Sequence, residues 1–223
     1  THYFGYQGTM ISYFVDALYR TPGVHNHSCY NEQGAAFAAC GMAQASGHGA
    51  VAYSTSGPGA ANLLSGVANA YMDSEPVLFL TGQVNTYEYT DIPELRQQSF
   101  QELNVVAMAK PVTKYCVQIT SVEDVRFHLE KAWHLATTGR PGPVLLDIPM
   151  NIQRSEIHPD TLRGYEPEIT KADSCTDCLH TIEEQLKKAS RPVLLVVGGV
   201  HPASQEPLLA FARAHHIPIV TSL

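Results

Sequence analysis

Short apolar runs alternate with longer amphipathic segments through most of this 223-residue chain, and that alternation limits the fold more than any other feature. Strands separated by helices join as βαβ crossovers, which set parallel strands side by side and leave helices on the sheet faces. The runs that read as strands are residues 2–5, 25–29, 50–55, 76–80, 114–118 and 143–148. Between them, Met10, Phe14 and Leu18 recur at helical spacing, with Ile11 and Val15 beside them. Residues 31–46 are rich in alanine, and residues 58–71 open on a proline suited to a first helical turn. Residues 121–138 open on a serine N-cap followed by two acids that complement a helix N-terminus. The expected fold is α/β, a doubly wound parallel sheet with helices on both faces.

After Pro149 the pattern breaks, and residues 151–175 mix Asn, Pro, Asp, Glu and Ser with little periodicity. The expected organisation is therefore a first domain over residues 1–150, a linker over 151–175, and a second α/β unit over 176–223. That second unit reads as helix 176–189, strand 192–197, a Gly198-Gly199 turn, helix 204–215 and strand 217–221. It is too small to bury a parallel sheet on both faces. The first strand also begins almost at residue 1, so both ends read as cut from a longer protein.

Charge and cysteine content exclude several classes. Net charge is −7 and Lys and Arg form no cluster, so a nucleic-acid footprint is missing. The apolar run 193–197 is far too short to span a bilayer, and a soluble, cytoplasmic protein is expected. Cys175 and Cys178 form a pair with His180 nearby, but structural zinc normally takes four ligands and no second pair exists. These cysteines read as thiols of a linker or helix start, and no metal ligands are expected within the chain.

Two stretches carry chemistry. Glu32 is a lone carboxylate opening the small, apolar run Gly34-Ala35-Ala36-Phe37-Ala38-Ala39. A first-turn acid complementing the helix dipole is the plain reading. A buried helix has no need of a surface charge at its start, however, and a carboxyl that exchanges a proton with a ligand fits the setting better. The second stretch, Ser54-Thr55-Ser56-Gly57-Pro58-Gly59-Ala60-Ala61-Asn62, follows a strand and opens a helix. Gly57-x-Gly59-x-x-Asn62 falls one glycine short of the dinucleotide fingerprint. Thr81-Gly82-Gln83 stands where a ribose-binding acid would end the next strand, and Pro58 removes an N–H from the loop.

Taken in order, these and further pieces resemble the pyrimidine-binding domain of thiamine-diphosphate enzymes, and among them acetolactate (acetohydroxyacid) synthase. The matching pieces are Phe4-Gly5-Tyr6-Gln7-Gly8, Asn31-Glu32-Gln33-Gly34-Ala35-Ala36, Thr55-Ser56-Gly57-Pro58-Gly59-Ala60-Ala61-Asn62-Leu63 and Ala70-Tyr71-Met72-Asp73-Ser74-Glu75-Pro76. Thr81-Gly82-Gln83-Val84, Ser99-Phe100-Gln101-Glu102 and Gly139-Arg140-Pro141-Gly142-Pro143-Val144 continue the series. The resemblance implies that Glu32 hydrogen-bonds the aminopyrimidine of thiamine diphosphate and is the catalytic proton handle. It further implies that Gln7, Gly8, Thr55, Gly57, Pro58, Asn62 and Gln83 border the cofactor. Phe100 and Gln101 would face the thiazolium and a 2-keto acid substrate, and Arg140 would contact FAD. Magnesium would be held by a Gly-Asp-Gly…Asn-Asn motif that this sequence lacks, and the site would be completed by a second subunit, so a homodimer is expected.

The family's Tyr-Pro-Gly-Gly turn is Tyr6-Gln7-Gly8-Thr9 here, its Lys-Asp pair is Met150-Asn151, and its Gly-Gly-Gly turn is Gly198-Gly199-Val200. These departures leave the thiamine residues in place and weaken the expected flavin contacts. Decarboxylation or carboligation of 2-keto acids is the expected chemistry of the parent protein. Another keto-acid decarboxylase or carboligase, and a non-catalytic nucleotide-binding module, are the alternatives.

Overall fold

The computed structural model describes residues 1–90, 92, 94–168, 176–200 and 202–222. They group into two compact units, Thr1–Pro167 and Glu168–Leu223. The first unit holds β1 (His2–Gly5), β2 (His25–Ser28), β3 (Ala50–Ser54), β4 (Val77–Gln83), β5 (Tyr115–Gln118) and β6 (Val144–Pro149). They form one six-stranded sheet in the order β2-β1-β3-β4-β6-β5, every pair parallel. Its α-helices are α1 (Ser12–Arg20), α2 (Glu32–Ser46), α3 (Pro58–Asp73), α4 (Val105–Ala109), α5 (Val125–Thr137) and α6 (Met150–Gln153).

Side chains alternate across a strand, so each buried strand feeds two cores. Ala50, Ala52, Val77, Phe79 and Leu145 pack with Ala36, Ala39, Cys40 and Ala43 of α2, with Leu63 and Val67 of α3, and with Val105 of α4. Val51, Tyr53, Leu78, Leu80, Val144 and Leu146 pack on the other face with Leu18 of α1, Ala132 and Ala136 of α5, and Ile152 of α6. The alanines of α2 let it approach α3 closely: a Cβ at Gly66 would fall 2.2 Å from the Ala36 Cβ.

Two features of the first unit differ from the sequence reading. β4 runs on to Gln83, because the buried polar side chains of Thr81 and Gln83 find a partner across the sheet in Asp147. Residues 151–167, expected as linker, pack onto the first unit. Ile152 is buried. Arg126 donates to the carbonyls of Pro159 and Leu162, and the Arg163 guanidinium lies 4.1 Å over the Phe127 ring. Polar and cation–π contacts carry this strap, which is why it shows no apolar period.

The second unit contains α7 (Thr176–Lys188), β7 (Leu194–Val196), α8 (Gln205–Ala214) and β8 (Ile219–Thr221), with β7 and β8 parallel. Cys178, read as a thiol, is disulfide-bonded, and Cys175 lies outside the described residues. Among the described residues no three His, Cys, Asp or Glu side chains are placed to hold a metal, and no helix is long and apolar enough to cross a membrane.

Candidate functional site

Strand order reverses at β1, which is flanked by β2 on one side and β3 on the other. In an open parallel sheet such a reversal opens a crevice at the carboxyl ends of the strands. The segments leaving β1, β2 and β3 carry Gln7-Gly8, Asn31-Glu32 and Thr55-Ser56-Gly57-Pro58. Topology therefore gathers at one point residues that stand far apart in sequence.

Glu32 is the first residue of α2 and is 8% exposed. Asn31 caps the helix, its Oδ1 accepting from the Gly34 N–H at 2.7 Å, so Glu32 is not needed as the cap. From α3, the Asn62 Nδ2 donates to Glu32 Oε2 at 3.2 Å. Two glycines keep side chains away from this group. A Cβ at Gly59 would lie 2.9 Å from Glu32 Oε1 and 2.8 Å from Thr55 Cγ2, and one at Gly8 would lie 2.7 Å from Thr55 Cβ. Thr55 ties the turns together, its Oγ1 accepting from the Met10 N–H at 3.3 Å. The Met10 carbonyl accepts from Gln153 Nε2 at 2.7 Å, so the turn after β1 is pinned from both sides.

Gly57 has φ 60° and ψ −127°, a conformation open to glycine alone. A Cβ there would fall 2.5 Å from the Gln101 carbonyl oxygen. Gln101 itself sits at φ 55°, beside Phe100, which is 71% exposed. The structure thus brings Gly8, Glu32, Thr55, Gly57, Asn62 and Gln101 together, with the exposed Gln7, Pro58 and Phe100 flanking them.

Gln83 and Arg140 are placed differently. Gln83 is buried and its amide is spent within the protein. Nε2 donates to the Leu103 carbonyl at 3.0 Å and to Asp147 Oδ2 at 3.1 Å, while Oε1 accepts from the Val84 N–H. Arg140 precedes β6, and its Nε donates to Ser74, which precedes β4. Arg140 therefore stands at the amino ends of the strands, opposite the end that carries Glu32, whereas Gln83 closes β4 at its carboxyl end but faces into the protein.

Sequence reasoning passed over Asp147. It is 1% exposed and accepts from Thr81 Oγ1 at 2.6 Å, Gln118 Nε2 at 2.9 Å and Gln83 Nε2. Burial pushes its carboxyl up to about 6, against the pull of the Thr81, Gln118 and Gln83 hydrogen bonds. A lone acid inside the apolar run Val144-Leu145-Leu146-Asp147-Ile148 was the available signal.

Residues 1–108 match the family model described as "Thiamine pyrophosphate enzyme, N-terminal TPP binding domain". The chain is 40% identical over 236 residues to a probable acetolactate synthase large subunit of Methanocaldococcus jannaschii, covering 99% of this chain and 37% of that protein. It is 39% identical to the acetolactate synthase isozyme 2 large subunit of Escherichia coli, covering 99% of this chain and 39% of that one. Against acetolactate synthase 1, chloroplastic, of Oryza sativa the identity is also 39%, over 99% of this chain and 34% of the relative. The chain therefore spans little more than a third of the curated relatives it matches.

Proposed function

From the chain's membership of the thiamine pyrophosphate enzymes, whose N-terminal cofactor-binding domain it carries at residues 1–108, we propose that the crevice beside β1 holds the aminopyrimidine of thiamine pyrophosphate in an enzyme of acetolactate-synthase type. The observation that carries this reading is the setting of Glu32: a buried carboxylate that its helix does not need as a cap, with glycines clearing the space beside it. A flat, protonated heteroaromatic ring fits that donor set. Its ring N–H would meet Glu32, while a side chain at Gly8 or Gly59 would intrude on Thr55 and Glu32.

When bound, thiamine pyrophosphate supplies an acidic thiazolium carbon able to add to a keto acid and to accept the electrons released on decarboxylation. The chain's own part is narrower. Glu32 holds or yields one proton at the pyrimidine ring nitrogen, Asn62 fixes that carboxylate, and Thr55 fixes the turn after β1. Gln101 and Phe100, presented by the Gly57 contact, line the side on which a 2-keto acid would approach. Magnesium and the diphosphate would be bound by residues outside these 223. Flavin finds little here, since Arg140 stands at the far end of the sheet, and flavin binding is expected to be weak. The exposed Tyr30, Phe37 and Phe100 around the crevice support closure of the site by a second copy of the protein.

The test is hydrogen–deuterium exchange at C2 of thiamine diphosphate bound to the protein that carries this chain. Glu32→Gln is nearly isosteric and is expected to fold, yet to slow exchange by about 10²–10⁴-fold, the usual worth of a positioned acid–base group. Exchange at the wild-type rate would remove Glu32 from this role.

A further inference from the structure

The buried polar cluster around Asp147 reaches from the middle of the sheet to the segment that carries Gln101. Asp147 Oδ2 accepts from the amides of Gln83 and Gln118. Gln83 Nε2 also donates to the Leu103 carbonyl, which accepts from Val105 N at the start of α4 as well. Between Leu103 and Gly57 lies the turn closed by the Glu102 N–H on the Ser99 carbonyl, and this turn sets the Gln101 carbonyl against Gly57. Gln101 holds φ 55° there, a left-handed conformation that a non-glycine residue keeps only when its surroundings enforce it.

We propose that Asp147 is a positioning residue: through the Gln83 amide it holds Leu103, and through Leu103 the turn that presents Phe100 and Gln101 at the site. This rests on the reading of the site given above. The carboxylate is suited to the task because a charged acceptor binds two amides more tightly than a neutral one. It is also the part of the cluster that titrates, with burial holding its carboxyl at about 6. The charged group acting on it is a second carboxylate, Glu102, and the Tyr89 hydroxyl reaches it through Gln118 Nε2. A proton on Oδ1 turns the Thr81 hydroxyl from donor to acceptor and leaves Oδ2 a plain carbonyl toward both amides. The Gln101 turn is therefore held more loosely below about pH 6 than above it.

Amide hydrogen exchange followed by mass spectrometry, corrected for the intrinsic pH dependence, tests this without any cofactor. In the wild type, peptides covering residues 98–105 should exchange faster as pH falls through about 6, while peptides from α2 and β3 do not. Asp147→Asn should abolish that step and keep residues 98–105 at the low-pH level throughout. Gln83→Met should free them at every pH by about tenfold, roughly one hydrogen bond's worth of protection. A pH step of wild-type size in Asp147→Asn, or wild-type protection of this segment in Gln83→Met, overturns the proposal. If Gln83→Met loosens the whole sheet, the comparison with Asp147→Asn still decides. Failure of the protein to bind thiamine diphosphate would overturn the reading of the site and leave the exchange result standing.

Discussion

Gly57 and Glu32 show how differently two residues of the candidate site reveal themselves. Glu32 stood out in the sequence because a carboxylate heads an alanine helix, and the structure confirms that the group is buried and that Asn31, not Glu32, caps the helix. Gly57 was visible only as part of a strand–helix turn. Its reason, contact with the Gln101 carbonyl, lies 44 positions further along the chain and leaves no local trace. Replacing Gly57 with alanine is expected to cost about 1–3 kcal/mol, the usual strain of a side chain in a glycine-only conformation. The loss should appear in urea unfolding, together with faster proteolysis near Gln101. Gly59→Ala should be milder for folding and harsher for binding, since its Cβ would press on the Glu32 and Thr55 side chains. A larger loss of thiamine affinity than of stability, measured by titration calorimetry and urea unfolding, is the expected result.

At the level of elements, period and punctuation made the parallel strands and the long helices legible, because buried strands of a parallel sheet are nearly continuous apolar runs. What escaped was held by polar contacts. The last turns of β4 continue through Thr81 and Gln83 because Asp147 receives them, and the strap after β6 follows Arg126 and Arg163. α4 is five residues long, too short for any periodicity to show. The close approach of two helices at Gly66 and Ala36 gives a clean test. Gly66→Ala gains helix propensity yet drives its Cβ to 2.2 Å from a Cβ that cannot rotate away. It is expected to destabilise by about 1–3 kcal/mol, as overpacking does. Ala36→Gly in the same chain should recover part of that loss, a coupling that a double-mutant cycle in urea would measure.

For the whole molecule, Asp147 ties stability to pH. Its folded carboxyl titrates at about 6 against an ordinary 3.8, so the folded state binds a proton that the unfolded chain has already released. Ionisation of this group then opposes folding: its contribution to stability falls as pH rises from about 4 to about 6 and is level above that. The raised value corresponds to a cost on the order of 3 kcal/mol at neutral pH. Asp147→Asn should therefore unfold at higher urea than the wild type at pH 7.5 and lose that advantage near pH 4. An Asp147→Asn advantage over the wild type that is as large at pH 4 as at pH 7.5 would contradict this. The 223 residues alone should bind thiamine diphosphate with about millimolar affinity or weaker, because one small ring and one hydrogen-bonded nitrogen offset little of the cost of association. Micromolar binding in calorimetry would show that this chain holds more of the ligand than its ring.

The pinning of Met10 has a further consequence. Thr55 grips its N–H and Gln153 its carbonyl, so the bend that carries Tyr6 and Gln7 is anchored just downstream of them. Tyr6 and Gln7 are exposed and bear none of that anchorage. The bend therefore behaves as an exchangeable cassette, in which variation at those two positions can be tried without risk to the sheet. A library randomised at residues 6 and 7 should yield mostly folded members that differ in ligand preference, whereas the same randomisation at Thr55 or Gln153 should yield mostly unfolded ones.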